Sequence, residues 1–323
     1  MEHQMIKGLE IGAAFSGVYH IDSIFVKKTT VGDDYTDLMI RDRSGVRNAK
    51  YWGVLPDVEM GFAFVAGQVM EYPQGSKKPS IVLSNVEPEE EPEDVSAYVD
   101  VVAGYDEIKA RFEKARDEID SLCKGLEDEG CVLLFDEIFS EKTFSNQFHE
   151  APIIGLPAYE KRGGLASKTI QNYDQFMGLS TLFDFSNTEK VIGGVAALIA
   201  NIGLADCAKF EGCIPVETTK GGLVGNAYLS GFRLASGMQR VAKRAKADNK
   251  NIDMMILQKV FHAISCMSGG CDIIPKTVEA ILLRKVADMD IAVSSAMEFI
   301  QCDENDDEFT AYDPTNAVKY FVG

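Results

Sequence analysis

Histidine is scarce in this chain: four in 323 residues, at His3, His20, His149 and His262. That removes most of the side chain best suited to acid–base work and metal ligation near neutral pH. Also missing are a G-x-x-x-x-G-K-[ST] loop, a G-x-G-x-x-G turn after a strand, a G-x-S-x-G elbow and an H-E-x-x-H helix. Nothing therefore points to a P-loop NTPase, a dinucleotide-binding unit, an α/β-hydrolase or a zincin. The seven cysteines (Cys123, Cys131, Cys207, Cys213, Cys266, Cys271 and Cys302) are odd in number and include no C-x-x-C pair. Free thiols in a reducing compartment are expected rather than a disulfide framework. His262, Cys266 and Cys271 lie close together, but zinc sites use four ligands in paired spacings, so buried thiols on a helix are expected. No apolar run approaches the ~18 residues of a membrane span, and MEHQMIKGLEIG lacks the apolar core of a signal peptide. These absences set the expectation of a cytoplasmic protein without a membrane partner.

What is present is ordinary globular material, 46% hydrophobic and 25% charged, in a length that suits two domains. The net charge of −18 argues against a nucleic-acid partner until it is located along the chain. Residues 1–85 sum to −1, residues 86–150 to −14 and residues 151–323 to −3. The excess is confined to the middle, which leaves room for a local basic face elsewhere.

The first 86 residues alternate apolar and polar positions between Gly-rich turns. In YTDLMIRD, Tyr35, Asp37 and Met39 fall on one face and Thr36, Leu38 and Ile40 on the other. Five such segments predict a small closed β-barrel. EPEEEPEDVSAYVD then reads as an acidic linker. It leads to a helix on which Tyr105, Ile108, Phe112, Ala115, Ile119, Leu122 and Leu126 recur in steps of three and four. From about residue 143 the pattern is helical, with Gly-rich joints, and 301–323 reads as a loosely held acidic tail ending in aromatics. The expected boundaries are 1–86 for the barrel, 87–142 for linker and helix, 143–300 for the helical domain and 301–323 for the tail.

Several stretches together resemble the YhaM-type 3′–5′ exoribonucleases, which join an OB barrel to a helical HD-type phosphohydrolase domain. In the first part these are VKKTTVGDDYTDLMIRDRSGVRNAKYW, GQVMEYPQG and SIVLSNVEP. In the second they are GGLASKTI, GGVAALIANIGLADCAKFEG, GGLVGN, FHAISCMSGG and PKTVEAILLRKVADMDIAVSSAM. The resemblance covers roughly residues 8–86 and 145–298. It implies a fold of α+β multidomain type: an N-terminal five-stranded OB barrel, then an all-α HD-like domain.

The resemblance also shows what has gone. The first family histidine falls on Lys168, the His-Asp doublet on Ala200 and Asn201, and the histidine of the GxLxGH motif on Asn226. The later His pair falls on Met267 and Ser268, and the late aspartate near Ala287 or Asp288, with Asp288 and Asp290 expected as capping or paired surface acids. No donor set for a divalent ion remains at these positions, so no cofactor or metal is expected, and the HD scaffold is expected to survive for packing alone.

The OB module implies a single-strand groove of cations and stacking rings. Its candidates are Lys27, Lys28, Tyr35, Arg41, Arg43, Lys50, Trp52, Tyr72, Lys77 and Lys78. Tyr51 and Trp52 must point to opposite faces of their strand, and Trp52 belongs either to the groove or to the barrel core. The expected function is non-catalytic binding of single-stranded RNA or DNA, with a homo-oligomer through the helical domain and a protein partner for the tail. An acidic interaction or inhibitor protein without nucleic-acid binding is the alternative, and a phosphodiesterase with a non-standard metal site is the third reading.

Overall fold

The structure is a computed structural model that describes residues 4–55, 58–71, 79–93, 95–267, 273–303 and 307–322. The chain divides into two compact units, Met1–Val101 with Glu211–Ile214, and Val102–Phe210 with Pro215–Gly323.

In the first unit, β1 (Ala14–Lys28), β2 (Asp34–Asp42), β3 (Gly45–Trp52), β4 (Gly61–Glu71) and β5 (Pro79–Pro88) close in the order β1-β2-β3-β5-β4. All neighbours are antiparallel except β3 and β5, which close the barrel in parallel. This is the small closed barrel that the alternation predicts, with the five strands of the OB fold that the resemblance implies. Ile21, Leu38, Ile40, Ala49, Val65, Val69 and Ile81 fill it and are fully buried. One end is plugged by the chain before β1. The Ile6 N–H donates to Asp42 Oδ2 at 2.7 Å, and Arg47 Nη1 donates to the carbonyls of Ile6 and Leu9 at 3.0 and 3.2 Å. Asp42 thus satisfies a buried backbone donor that would otherwise be costly.

β1 carries a bulge between Ile21 and Ser23. Before it, Phe15, Tyr19 and Ile21 point inward; after it, Ile24 packs on the core while Ser23, Phe25 and Lys27 turn outward. One inserted residue reverses the faces of everything downstream.

The second unit is helical: α1 (Tyr105–Leu126), α2 (Gly130–Phe139), α3 (Lys142–Glu150), α4 (Gly164–Leu182), α5 (Asn187–Ile199), α6 (Leu204–Cys207), α7 (Thr219–Asp248), α8 (Met254–Met267) and α9 (Val278–Cys302). The stripe read on α1 is used as expected, with Phe112, Ala115 and Ile119 buried. α5 opens with a capping box, Ser186 and Glu189 satisfying each other's backbone N–H groups, and every residue from Val191 to Ile199 is buried. Gly193 is required there, because any side chain would run into the Phe176 ring. The small residues of α5 therefore serve packing inside the unit.

Three local features differ from expectation. Residues 187–207 are long and apolar enough to cross a membrane by length and composition, contrary to the reading that no run approaches that size. Most of that stretch is buried within the unit, as in a core helix. A two-stranded hairpin, β6 (Ala208–Glu211) and β7 (Ile214–Glu217), interrupts the helical pattern. The tail is not loose over 309–322. Phe309 bridges Phe321 and Asp313 bridges Val318, and the buried Asp313 carboxylate accepts from Thr315 N, Asn316 Nδ2 and Tyr320 Oη. An aspartate that ties down its own turn holds a segment whose composition suggested none.

Candidate nucleic-acid interface

The outer faces of β1, β2 and β3 form one surface in which register decides who meets whom. Lys27, Tyr35 and Trp52 make one cross-strand row, and Phe25, Asp37 and Lys50 the next. Trp52 is 54% exposed, which places it outside the barrel core, while Tyr51 on the opposite face packs against that core. The Tyr35 and Trp52 rings lie 5.8 Å apart at 50°, and Lys50 Nζ sits 6.0 Å from the Tyr35 centroid. Phe25, 60% exposed, extends the platform and was not among the residues singled out from the sequence.

The cations of this surface are largely engaged. Lys27 pairs with Asp37, which also accepts from Asn48 Nδ2 at 2.9 Å, and Lys28 pairs with Asp34 at 3.4 Å. Burial raises the Asp37 carboxyl, but the hydrogen bonds from Lys27 and Asn48 outweigh it and hold it below its ordinary value.

Arg41 lies six residues along β2 from Tyr35, about 20 Å away, with its side chain only 13% exposed. It grips both Asp22 oxygens, with Nε at 3.1 and 2.8 Å, and His20 Nδ1 joins the cluster 2.8 Å from Asp22 Oδ1. Arg43 is exposed in the β2–β3 turn, farther still from the aromatic rows. The structure thus unites Lys27, Lys28, Tyr35, Lys50 and Trp52, and separates Arg41 and Arg43 from them. Tyr72, Lys77 and Lys78 lie outside the described residues.

Of the positions that the resemblance set against HD ligands, Lys168, Asn201 and Asn226 fall in two polar clusters of the helical unit. Lys168 of α4 is buried and bound to Asp290 of α9, whose other oxygen accepts from Tyr159 Oη at 2.6 Å. Asp290 is therefore a buried acid rather than a surface one, because the lysine and tyrosine compensate its charge. Asn226 donates to Asn201 Oδ1 at 3.3 Å and accepts from Ser230 Oγ at 3.0 Å, and Ser230 in turn accepts from Gly203 N at 2.8 Å. Ala200 is buried and Met267 packs against the core; Ser268 lies outside the described residues. Cys266 is buried, and burial pushes its thiol up. His262 Nε2 accepts from Lys276 N at 3.0 Å, and Cys271 lies outside the described residues. Among the described residues, no group of three or more His, Cys, Asp or Glu is placed to hold a metal.

Fold and surface together define an OB-fold barrel joined in one chain to a helical unit. Among solved structures, the barrel is similar to the second OB-fold domain of replication protein A from Methanococcus maripaludis, at 20% identity and a TM-score of 0.23. That match covers 28% of this chain and 99% of the other. No family model and no curated protein matches the chain.

Proposed function

We propose that this chain binds single-stranded nucleic acid across the outer face of β1–β3 and does not cleave it. The observation that carries the reading is the exposed ring platform of Phe25, Tyr35 and Trp52, with Lys50 against Tyr35. Exposed rings on a barrel face are costly unless covered, and unpaired bases cover them at about 1–3 kcal/mol per base. Lys27 and Lys28 already hold carboxylates, so a phosphate has to displace Asp37 or Asp34 to reach them. Stacking then supplies most of the affinity, and the salt dependence is shallow.

The helical unit, in the same reading, is an HD-like scaffold without its metal chemistry. Its support is the donor set. At the matched positions stand an ammonium, a methyl group, two carboxamides, a thioether and a hydroxyl, in place of imidazoles and a carboxylate. Lys168 occupies one oxygen of Asp290 with a positive charge, where a divalent ion would have to compete with it.

A fluorescent 12-mer of deoxythymidine or uridine, followed by anisotropy with the full chain, tests both halves. Binding that weakens at least tenfold in Trp52→Ala and in Phe25→Ala, with no shortening of the oligomer in manganese, supports the proposal. Binding unaffected by either substitution, or manganese-dependent shortening, overturns it.

A further inference from the structure

α7 has two apolar faces and its own unit uses one. Leu234, Gly237, Val241 and Ala245 are buried. The other face, Tyr228, Phe232, Ala235, Gln239 and Ala242, advances in steps of four, three, four and three, a continuous stripe along the helix. Tyr228 and Phe232 are exposed, and the last three residues form one wall of a cavity of about 600 Å³. The opposite wall is α8, where Met254, Gln258, Phe261 and Ser265 repeat the same spacing. The two stripes, with Met238 added on the α7 side and Ile273 at the border, leave a trough, not a closed pocket.

Its dimensions suit a helix. The α8 wall runs twelve residues, Met254 to Ser265, about 16 Å or three turns. A helix of that length and 10–12 Å width, sunk by a third, fills roughly 500 Å³, close to the volume available.

The rim of the trough has the opposite sign to the chain. Lys243 and Lys246, each one turn beyond Gln239 and Ala242, are exposed at one end. Lys276 is exposed at another edge, its backbone N–H held by His262 of the trough lining. Of the nearby acids, Asp248 pairs with Arg244 at 3.6 Å, while Asp253 accepts from Met255 N at 2.8 Å and keeps its charge, so the three lysines still leave the rim net basic. On a protein of net charge −18, a basic border around an apolar trough favours a partner that brings an apolar stripe flanked by acids.

We propose that the α7–α8 trough is the docking site for an amphipathic helix of a partner protein, with apolar residues at steps of three and four and Asp or Glu along its borders. A second copy of this chain offers a poorer match through α7, since that stripe carries the same lysines and sets like charge against like. The site lies wholly within the helical unit and is independent of the nucleic-acid reading.

The test uses the full chain and two labelled 18-residue synthetic peptides with one leucine pattern, one bordered by glutamate and the other by lysine. The glutamate peptide is expected to bind at least tenfold more tightly, to lose that advantage in Lys243→Glu/Lys246→Glu, and to lose binding altogether in Ala242→Arg. Unchanged circular dichroism in the variants confirms that they fold. Equal affinity for both peptides, no binding of either, or a dimer in sedimentation that Ala242→Arg converts to monomer overturns the proposal.

Discussion

Replacing Lys168 by methionine strands a carboxylate inside the helical unit. Lys168 and Asp290 have side chains 5% and 0% exposed, so water does not compensate whichever partner is left. In Lys168→Met, Asp290 keeps Tyr159 Oη at 2.6 Å and Ser294 Oγ at 3.4 Å, both neutral donors. The cost falls at the lower end of the range for breaking a buried pair, about 3 kcal/mol. In Asp290→Asn, the ammonium keeps a neutral amide oxygen and the Tyr159 ring, 5.2 Å away, but no counter-charge, and the cost is about 3–5 kcal/mol. The double variant buries no uncompensated charge and costs about 0–2 kcal/mol, well below either single change. Urea unfolding followed by circular dichroism at 222 nm reads the helical unit, and Trp52 fluorescence reads the barrel as an internal control. Single variants that cost less than about 1 kcal/mol, or a double variant that costs as much as both singles together, refute the buried pair.

Acid should weaken each unit for a different reason. His149, packed edge-on against the rings of Phe112 and Phe148, is depressed by burial and then by the Lys109 charge, from 6.5 to about 4. The folded form holds it neutral, so its contribution is complete above pH 6.5 and is lost as pH falls toward 4, up to about 3 kcal/mol. Urea melts at pH 7.5 and 4.5 should show this for the parent and much less for His149→Gln. In the barrel, burial lifts the Asp22 carboxyl, but the bonds from His20 and Arg41 and the guanidinium charge outweigh it, leaving it lowered. That contribution persists above the ordinary carboxylate range and is lost only below about pH 4. Arg41→Ala should therefore lower the barrel's unfolding midpoint, read by Trp52, and change oligonucleotide affinity less than Trp52→Ala does. Converting Glu89, Glu90, Glu91 and Glu93 to glutamine should change single-strand binding by less than about twofold at about 150 mM salt. Glu89 N–H on the Phe62 carbonyl and Arg43 N–H on the Ala97 carbonyl hold the run at the Arg41 end of the barrel, beyond a Debye length of about 8 Å from the Tyr35–Trp52 row.

The barrel was legible because period-two alternation and Gly-rich turns leave few other arrangements; the inward set Thr36, Leu38 and Ile40 was readable residue by residue. Phe25 was not, because the bulge after Ile21 reverses a strand whose composition is apolar on both sides of it. Trp52 stood open between core and surface, since an aromatic at the end of a strand suits either, and only its register opposite Tyr35 decides. Arg41 shows the limit of charge counting: its partner Asp22 is nineteen residues away and becomes a neighbour only through the β1–β2 pairing. The same holds for Lys168 and Asp290, 122 residues apart, where each side chain alone reads as an anomaly and the pair is a satisfied interior contact. The tail's order rests on a few bonds to Asp313, invisible beneath an acidic composition.

Trp52 is the chain's sole tryptophan and stands beside Tyr35 on the proposed face, so its emission reports that face and no other. Titration of the full protein with unlabelled single-stranded 12-mers, at 50 and 300 mM salt, should quench Trp52 saturably. Affinity should fall by about three- to twelvefold between the two salts, as expected for one or two phosphate contacts. An oligonucleotide that binds without changing Trp52 emission, or that fails to bind at low salt, contradicts the account.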